Sequence, residues 1–190
     1  MRYLFKFLFR LFGWGVSGPA PTHLKKAIWV VCPHWYATDF FIGIGSRSEI
    51  GVNIGFLGKN SLFKWYSAWF FKALGGYPVD RSKANNLVQV VANTFKANDS
   101  IHVALTPEGT RKDVSELKTG FYYMALQAGV PLVLVGFDYQ RKLVVFGGVV
   151  EPTGDYAKDI KPMYDFLLTI QSPQKEYLKR YQKTGEVPVK

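Results

Sequence analysis

"AIWVVCPHWYATDF", residues 27–40, decides how the chain is read. Ala27 to Cys32 form a short apolar run, rich in β-branched residues and stopped by Pro33, the pattern of a buried strand. The chain then turns polar at once: His34 follows the proline, and Asp39 comes five residues later. A buried strand that runs straight into a polar island places that island at the strand's carboxyl end, where open α/β sheets gather their ligands.

Working outward, the same grammar repeats. "VNIGFLG" (52–58), "YPVD" (77–80), "IHVALT" (101–106), "VPLVLVGFD" (130–138) and "KLVVFGGVV" (142–150) read as extended segments. Between them lie helical patterns. "DFFIGIGSR" (39–47) is one. "SLFKWYSAWFFKAL" (61–74) is another, with Ser61 as its cap and Gly75-Gly76 as its end. Residues 82–97 keep helical spacing through Leu87, Val90, Val91, Thr94 and Phe95, and residues 119–128 stop at Gly129. Residues 158–180 look helical with breaks at Pro162 and Pro173. Strands alternating with helices predict an α/β domain with a largely parallel central sheet flanked by helices.

At 190 residues the chain suits one domain with a real core. The formal charge of +10 calls for anionic partners: nucleic acid, an anionic membrane surface or phosphorylated substrates. Aromatics make up 16% of the chain and sit in apolar runs, which favours a lipid interface over nucleic acid. The single cysteine excludes an internal disulfide framework, and no Cys/His spacing suggests a metal site.

"MRYLFKFLFRLFGW" opens the chain. Arg2, Lys6 and Arg10 recur every four residues, one narrow cationic stripe on a helix, while Phe5, Phe9, Trp14 and their apolar neighbours cover the rest. The run is too short and too charged to span a bilayer. It reads as an amphipathic helix over residues 1–16 lying in the membrane interface, followed by a hinge (17–22) and a single domain (23–190). The alternative is an ordinary helix docked on its own domain. Trp65, Trp69 and Phe70 in the aromatic segment form a second membrane contact or the wall of an acyl groove.

Three polar islands carry the chemistry: "HWYATD" (34–39), "VDR" (79–81) and "PEGTR" (107–111). A histidine near neutrality suits proton abstraction from an alcohol, better when a carboxylate holds its other ring nitrogen. Five residues are about 500° of helix, so the pair fits a loop histidine and an aspartate in the first helical turn. A structural His–Asp pair is the main rival reading, and a Cys32–His34 couple a lesser one. Arg81 and Arg111 offer forks for phosphate oxygens, and Lys59 and Lys118 point charges. His102, within a strand, reads as structural.

Together, "HWYATD", "GYPVDRS", "PEGTR" and "VPLVLVG" resemble, in order and spacing, the four blocks of the glycerolipid acyltransferases, the family of lysophosphatidic acid acyltransferases. The likeness spans roughly residues 27–140. It departs at Pro33, where the family often has asparagine, and at the bulky Trp35 and Tyr36. The resemblance implies His34 as general base and Asp39 as its support. It implies Arg81 and Lys59 at the acceptor's phosphate, Glu108, Gly109, Thr110 and Arg111 as completing acceptor binding and the site's hydrogen-bond network, and Pro131 as shaping the site. It implies direct transfer from an acyl thioester, acyl-CoA or acyl carrier protein, to a lysophospholipid hydroxyl, with no covalent intermediate, bound cofactor or metal. The expected partners are anionic membrane lipids, the acceptor and the thioester, at the cytoplasmic face of a membrane. The competing readings are a non-catalytic lipid-binding or tethering domain, or an acyltransferase acting on another acceptor such as an amino-lipid.

Overall fold

The computed structural model describes residues 2–79 and 84–188, with backbone alone at 59, 79 and 84–86. Helix α1 (Arg2–Leu11) leads into β1 (Gly15–Ser17) and β2 (Lys26–Cys32). Then come α2 (Asp39–Ile50), β3 (Ile54–Lys59), α3 (Ala68–Ala73), β4 (Gly76–Val79), α4 (Ala84–Ala97) and β5 (Ile101–Leu105). The chain closes with α5 (Gly120–Ala128), β6 (Leu132–Asp138), β7 (Leu143–Val150), α6 (Tyr156–Leu168) and α7 (Glu176–Thr184).

The strands form one seven-stranded sheet in the order β1-β7-β6-β2-β5-β3-β4, parallel except where β6 meets β7. The α/β class and the largely parallel sheet are as the sequence predicts. β2 is the central strand, and its apolar run reflects cover on both faces. Ile28, Val30 and Cys32 face a core completed by α4, α5, α6 and α7 through Phe95, Tyr122, Ile160 and Tyr177. Ala27 and Trp29 face the other way, where Phe9 of α1 and Ile42 of α2 join Val133, Phe137 and Phe146.

Three segments differ from the sequence reading. The first is 61–74, which is not one helix. A 3-10 turn (Asn60–Leu62) precedes the six-residue α3, and the Ser67 hydroxyl donates to the Leu62 carbonyl at 2.8 Å. That bond offers the backbone an alternative to the helical ladder. The second is α6, which runs through Pro162 unbroken. Tyr156, Ile160, Met163, Tyr164 and Leu167 bury one continuous face, and that packing outweighs the lost backbone bond.

The third is the N-terminal segment. α1 ends at Leu11, and residues 15–17 join the sheet edge beside Leu143–Val145, inside and just beyond the expected helix and hinge. Phe9, expected to meet lipid, is only 5% exposed and packs on α2 at Gly45. Trp14, also expected at the membrane, is half-buried and stacks edge-on against Tyr139. Two cations of the stripe pair with the domain at its surface: Arg10 Nε donates to Glu49 at 3.0 Å, and Lys6 Nζ lies 3.6 Å from the same carboxylate. The helix face left exposed is Tyr3, Leu4, Phe7, Leu11 and, just past it, Phe12.

The α1–α2 contact depends on a missing side chain. A Cβ at Gly45 would stand 2.6 Å from Phe9 Cδ2. Gly45→Ala is expected to push α1 off α2 and cost about 1–3 kcal/mol, the usual penalty for overpacking, read as a lowered unfolding midpoint in denaturant. Arg10 holds the Glu49 carboxyl below its ordinary value, chiefly through their hydrogen bond. A depressed carboxyl stabilises above its unfolded pKa and loses that contribution as pH falls through the folded one. Amide exchange in residues 2–11, corrected for intrinsic rates, should therefore accelerate as pH drops below the carboxylate range, and Glu49→Gln should abolish that dependence.

Candidate active site

β2 and β5 are neighbours, with Val30 beside Leu105, so their carboxyl ends leave the sheet side by side. The loop after β2 carries His34, and the loop after β5 carries Glu108 to Arg111. Sheet order thus joins two sequence islands more than seventy residues apart.

His34 lies in the loop and Asp39 opens α2. The His34 Nδ1 and Asp39 Oδ2 are 2.8 Å apart. The same oxygen accepts the backbone N–H groups of Trp35 and Tyr36, each at 2.9 Å. A carboxylate in the first helical turn also sits favourably in the helix dipole. With Asp39 ionised, Nδ1 carries the proton and donates it, which leaves the Nε2 lone pair unused. Asp39 is buried, while the His34 side chain keeps 23% exposure and lines the cleft. Asp39 Oδ1 is buried and has no hydrogen-bond partner among the described residues.

Glu108 enters the site's hydrogen-bond network. It is 1% exposed, and its carboxylate is engaged from three sides. It accepts the His34 backbone N–H at 3.1 Å and the Tyr177 hydroxyl at 3.1 Å, and it pairs with the Lys175 ammonium. Lys175, which the sequence reading missed, is fully buried. Its ammonium also donates to the carbonyls of His34 at 2.8 Å and Lys112 at 3.0 Å, and lies 4.5 Å from the centre of the Trp35 ring. Burial pushes the Glu108 carboxyl up, against the opposing pull of Lys175 and the donors around it. Glu108 is therefore a positioning residue that fixes the backbone at His34. Nothing in "SPQKEYL" distinguishes Lys175 from a surface lysine; the pairing spans 67 residues and emerges only in three dimensions.

Gly109 takes the left-handed conformation, φ +65°, which the turn requires, and the Lys118 side chain lies over it. Thr110 Oγ1 accepts the Lys112 N–H at 3.2 Å, a local turn bond. Arg111 and Lys118 line the cleft, are exposed, and among the described residues form no ion pair with a carboxylate. Arg81 and the Lys59 side chain lie outside the described residues. Pro131 is set back from this loop cluster; its carbonyl accepts the Ile28 N–H at 3.0 Å.

The cleft measures about 1570 Å³ and runs from His34 inward along apolar walls that include Phe40, Phe56, Leu57, Phe70 and Phe71. The aromatic segment therefore divides. Phe70 and Phe71 turn toward the cleft, while Trp65 (91% exposed) and Trp69 point outward. Cys32 does not pair with His34: it is buried among apolar side chains, and burial pushes its thiol well above the ordinary value. His102 accepts the Trp29 indole N–H at 3.2 Å, a structural role. Among the described residues no three His, Cys, Asp or Glu side chains are grouped to hold a metal ion. No described helix is long and apolar enough to cross a membrane.

Residues 15–138 match the family model described as Acyltransferase, so the chain belongs to that family and is an acyltransferase. No curated protein matches it. Among solved structures it is similar to the 1-acyl-sn-glycerophosphate (LPA) acyltransferase PlsC from Thermotoga maritima, with a TM-score of 0.63 and 17% identity. That alignment covers 90% of this chain and 75% of the other, and it shows a shared fold.

The Glu108–Lys175 pair yields a direct test. Lys175→Met leaves a carboxylate buried without its cation and should cost about 3–5 kcal/mol in denaturant unfolding. Adding Glu108→Gln removes the orphaned charge, so the double variant should regain part of that stability while His34 remains poorly placed and turnover stays low.

Proposed function

We propose that this acyltransferase works at a membrane surface, moving an acyl chain from a thioester, acyl-CoA or acyl carrier protein, to the hydroxyl of a lysophospholipid such as 1-acylglycerol-3-phosphate. The observation that carries the reading is the His34–Asp39 contact at 2.8 Å, opening onto an apolar-walled cleft beside Arg111 and Lys118. The exposed apolar face of α1, with Trp65 and Trp69, is consistent with contact to lipid at the interface.

In this mechanism His34 Nε2 accepts the proton of the acceptor hydroxyl as its oxygen attacks the thioester carbonyl. Asp39 holds Nδ1–H and stabilises the imidazolium that forms. The tetrahedral intermediate collapses, the carbon–sulfur bond breaks, and the departing sulfur takes the proton from His34 Nε2. The ester and the free thiol result, and the protein returns to its starting charge. The acceptor phosphate meets Arg111 and Lys118, with Arg81 and Lys59 assigned to the same task by their place in the motifs. The acyl chain lies along the apolar walls of the cleft, removed from water.

His34→Ala should lower kcat by about 10²–10⁴-fold in a thioester-release assay with a lysophospholipid acceptor, while binding to lipid vesicles is unchanged. Unchanged turnover would overturn the catalytic reading and leave a lipid-binding domain. A panel of lysophospholipid and amino-lipid acceptors in the same assay identifies the acceptor.

A further inference from the structure

A second cavity lies at the opposite end of α2 from the catalytic pair. It holds about 230 Å³, and Arg2 and Phe5 of α1, Arg47 and Ser48 of α2, and Ala73 and Leu74 at the end of α3 form its walls. No acidic side chain lines it. Glu49, the acid of this helix end, is held by Lys6 and Arg10. Among the described residues neither Arg2 nor Arg47 forms an ion pair with a carboxylate.

Both guanidiniums are brought in by glycines. A Cβ at Gly51 would stand 2.6 Å from Arg2 Nη2, and one at Gly75 would stand 3.3 Å from Arg47 Nη1. Arg47 Nη1 donates to the Ile54 carbonyl, and Arg2 Nε makes a long bond of 3.4 Å to Ser48 O. The Ser48 carbonyl of α2 and the Ile54 carbonyl at the start of β3 thus meet one N–H of each group, and a guanidinium has five. Arg47 is half-buried, and a half-buried cation needs its remaining donors met; Arg2 is exposed and brings a second fork to the same cavity. Two forks converging on one small cavity without an acid suit a phosphate-type oxyanion, which can take paired N–H donors from each.

The surroundings name the source of that oxyanion. Tyr3 and Leu4, next to Arg2, are 85% and 57% exposed. Trp69, one helical turn before Ala73 and on the same face of α3, is 69% exposed. Exposed apolar and aromatic side chains therefore neighbour lining residues in both α1 and α3, an arrangement that suits a headgroup site at a bilayer interface. We propose that the Arg2–Arg47 cavity binds the phosphate of an anionic membrane lipid, apart from the acceptor in the cleft. The site rests on the membrane reading above and adds a specific headgroup contact to it.

The test compares the full-length chain with two charge-matched pairs, Arg2→Gln/Arg47→Gln in the cavity and Lys64→Gln/Lys72→Gln on the exposed aromatic segment. Binding is measured to phosphatidylcholine vesicles with and without phosphatidic acid, and inorganic phosphate at fixed ionic strength is added as competitor. The cavity pair should bind phosphatidic acid vesicles about tenfold more weakly than the lysine pair, the loss expected for one charge-assisted contact. It should match wild type on phosphatidylcholine alone, and phosphate should compete with wild type and the lysine pair but not with the cavity pair. Equal losses for both pairs would reduce the effect to spread charge and overturn the site. Phosphate that raises the wild-type melting temperature, with vesicle binding intact in the cavity pair, would assign the cavity to a free anion and overturn the lipid source. Arg2→Gln alone, at an exposed side chain, keeps the test open if the Arg47 change prevents folding. Failure of wild type to bind vesicles of any composition would instead sink the membrane reading, and acyl transfer to a detergent-dispersed acceptor reads the cleft separately.

Discussion

One buried charge holds the active site together. Removing an ammonium and a carboxylate from water is expensive, and the attraction between them compensates only when every remaining donor and acceptor is met. Lys175 and Glu108 meet that condition. The ammonium reaches the Glu108 carboxylate and the backbone carbonyls of His34 and Lys112, while the carboxylate takes the His34 N–H and the Tyr177 hydroxyl. The loop after β2, the loop after β5 and the start of α7 are thereby locked to one another. The His34 backbone is gripped at both its N–H and its carbonyl, which fixes the loop, while Asp39 Oδ2 holds the ring itself.

The sheet explains why these pieces are within reach. Placing β5 directly beside β2 sends the histidine loop and the glutamate loop out at the same edge, and α2 then leaves that edge with Asp39 in its first turn. Asp39 Oδ2 there meets two backbone N–H groups and the ring Nδ1 of His34. Apolar walls continue from there into the protein. Polar chemistry at the strand ends and a greasy interior behind it suit a reaction that handles a proton and a hydrocarbon chain together.

Much of this was legible in the sequence because it is local. The buried strands around Trp29 and Leu134, the helix stop at Gly129 and the loop-then-helix placement of His34 and Asp39 follow from apolar runs, proline and spacing. What escaped notice depends on distant partners. Phe9 looks like any other aromatic on α1 until Gly45 is found opposite it, and Lys6 and Arg10 look free until Glu49 is placed. Residues 15–17 are too few to read as a strand without Leu143–Val145 beside them. Glu108 reads from its motif as part of the site's hydrogen-bond network, but the buried Lys175 that pairs with it lies outside every motif.

The separation between His34 and Lys175 is 141 residues, and it bears on how the enzyme is made. A ribosome delivers the histidine loop early and the lysine that clamps it near the end of the described chain. Until then the nascent polypeptide holds an unclamped imidazole and an uncompensated carboxylate. The grip on the His34 backbone therefore forms only after the strands that lie between the two residues in sequence have emerged.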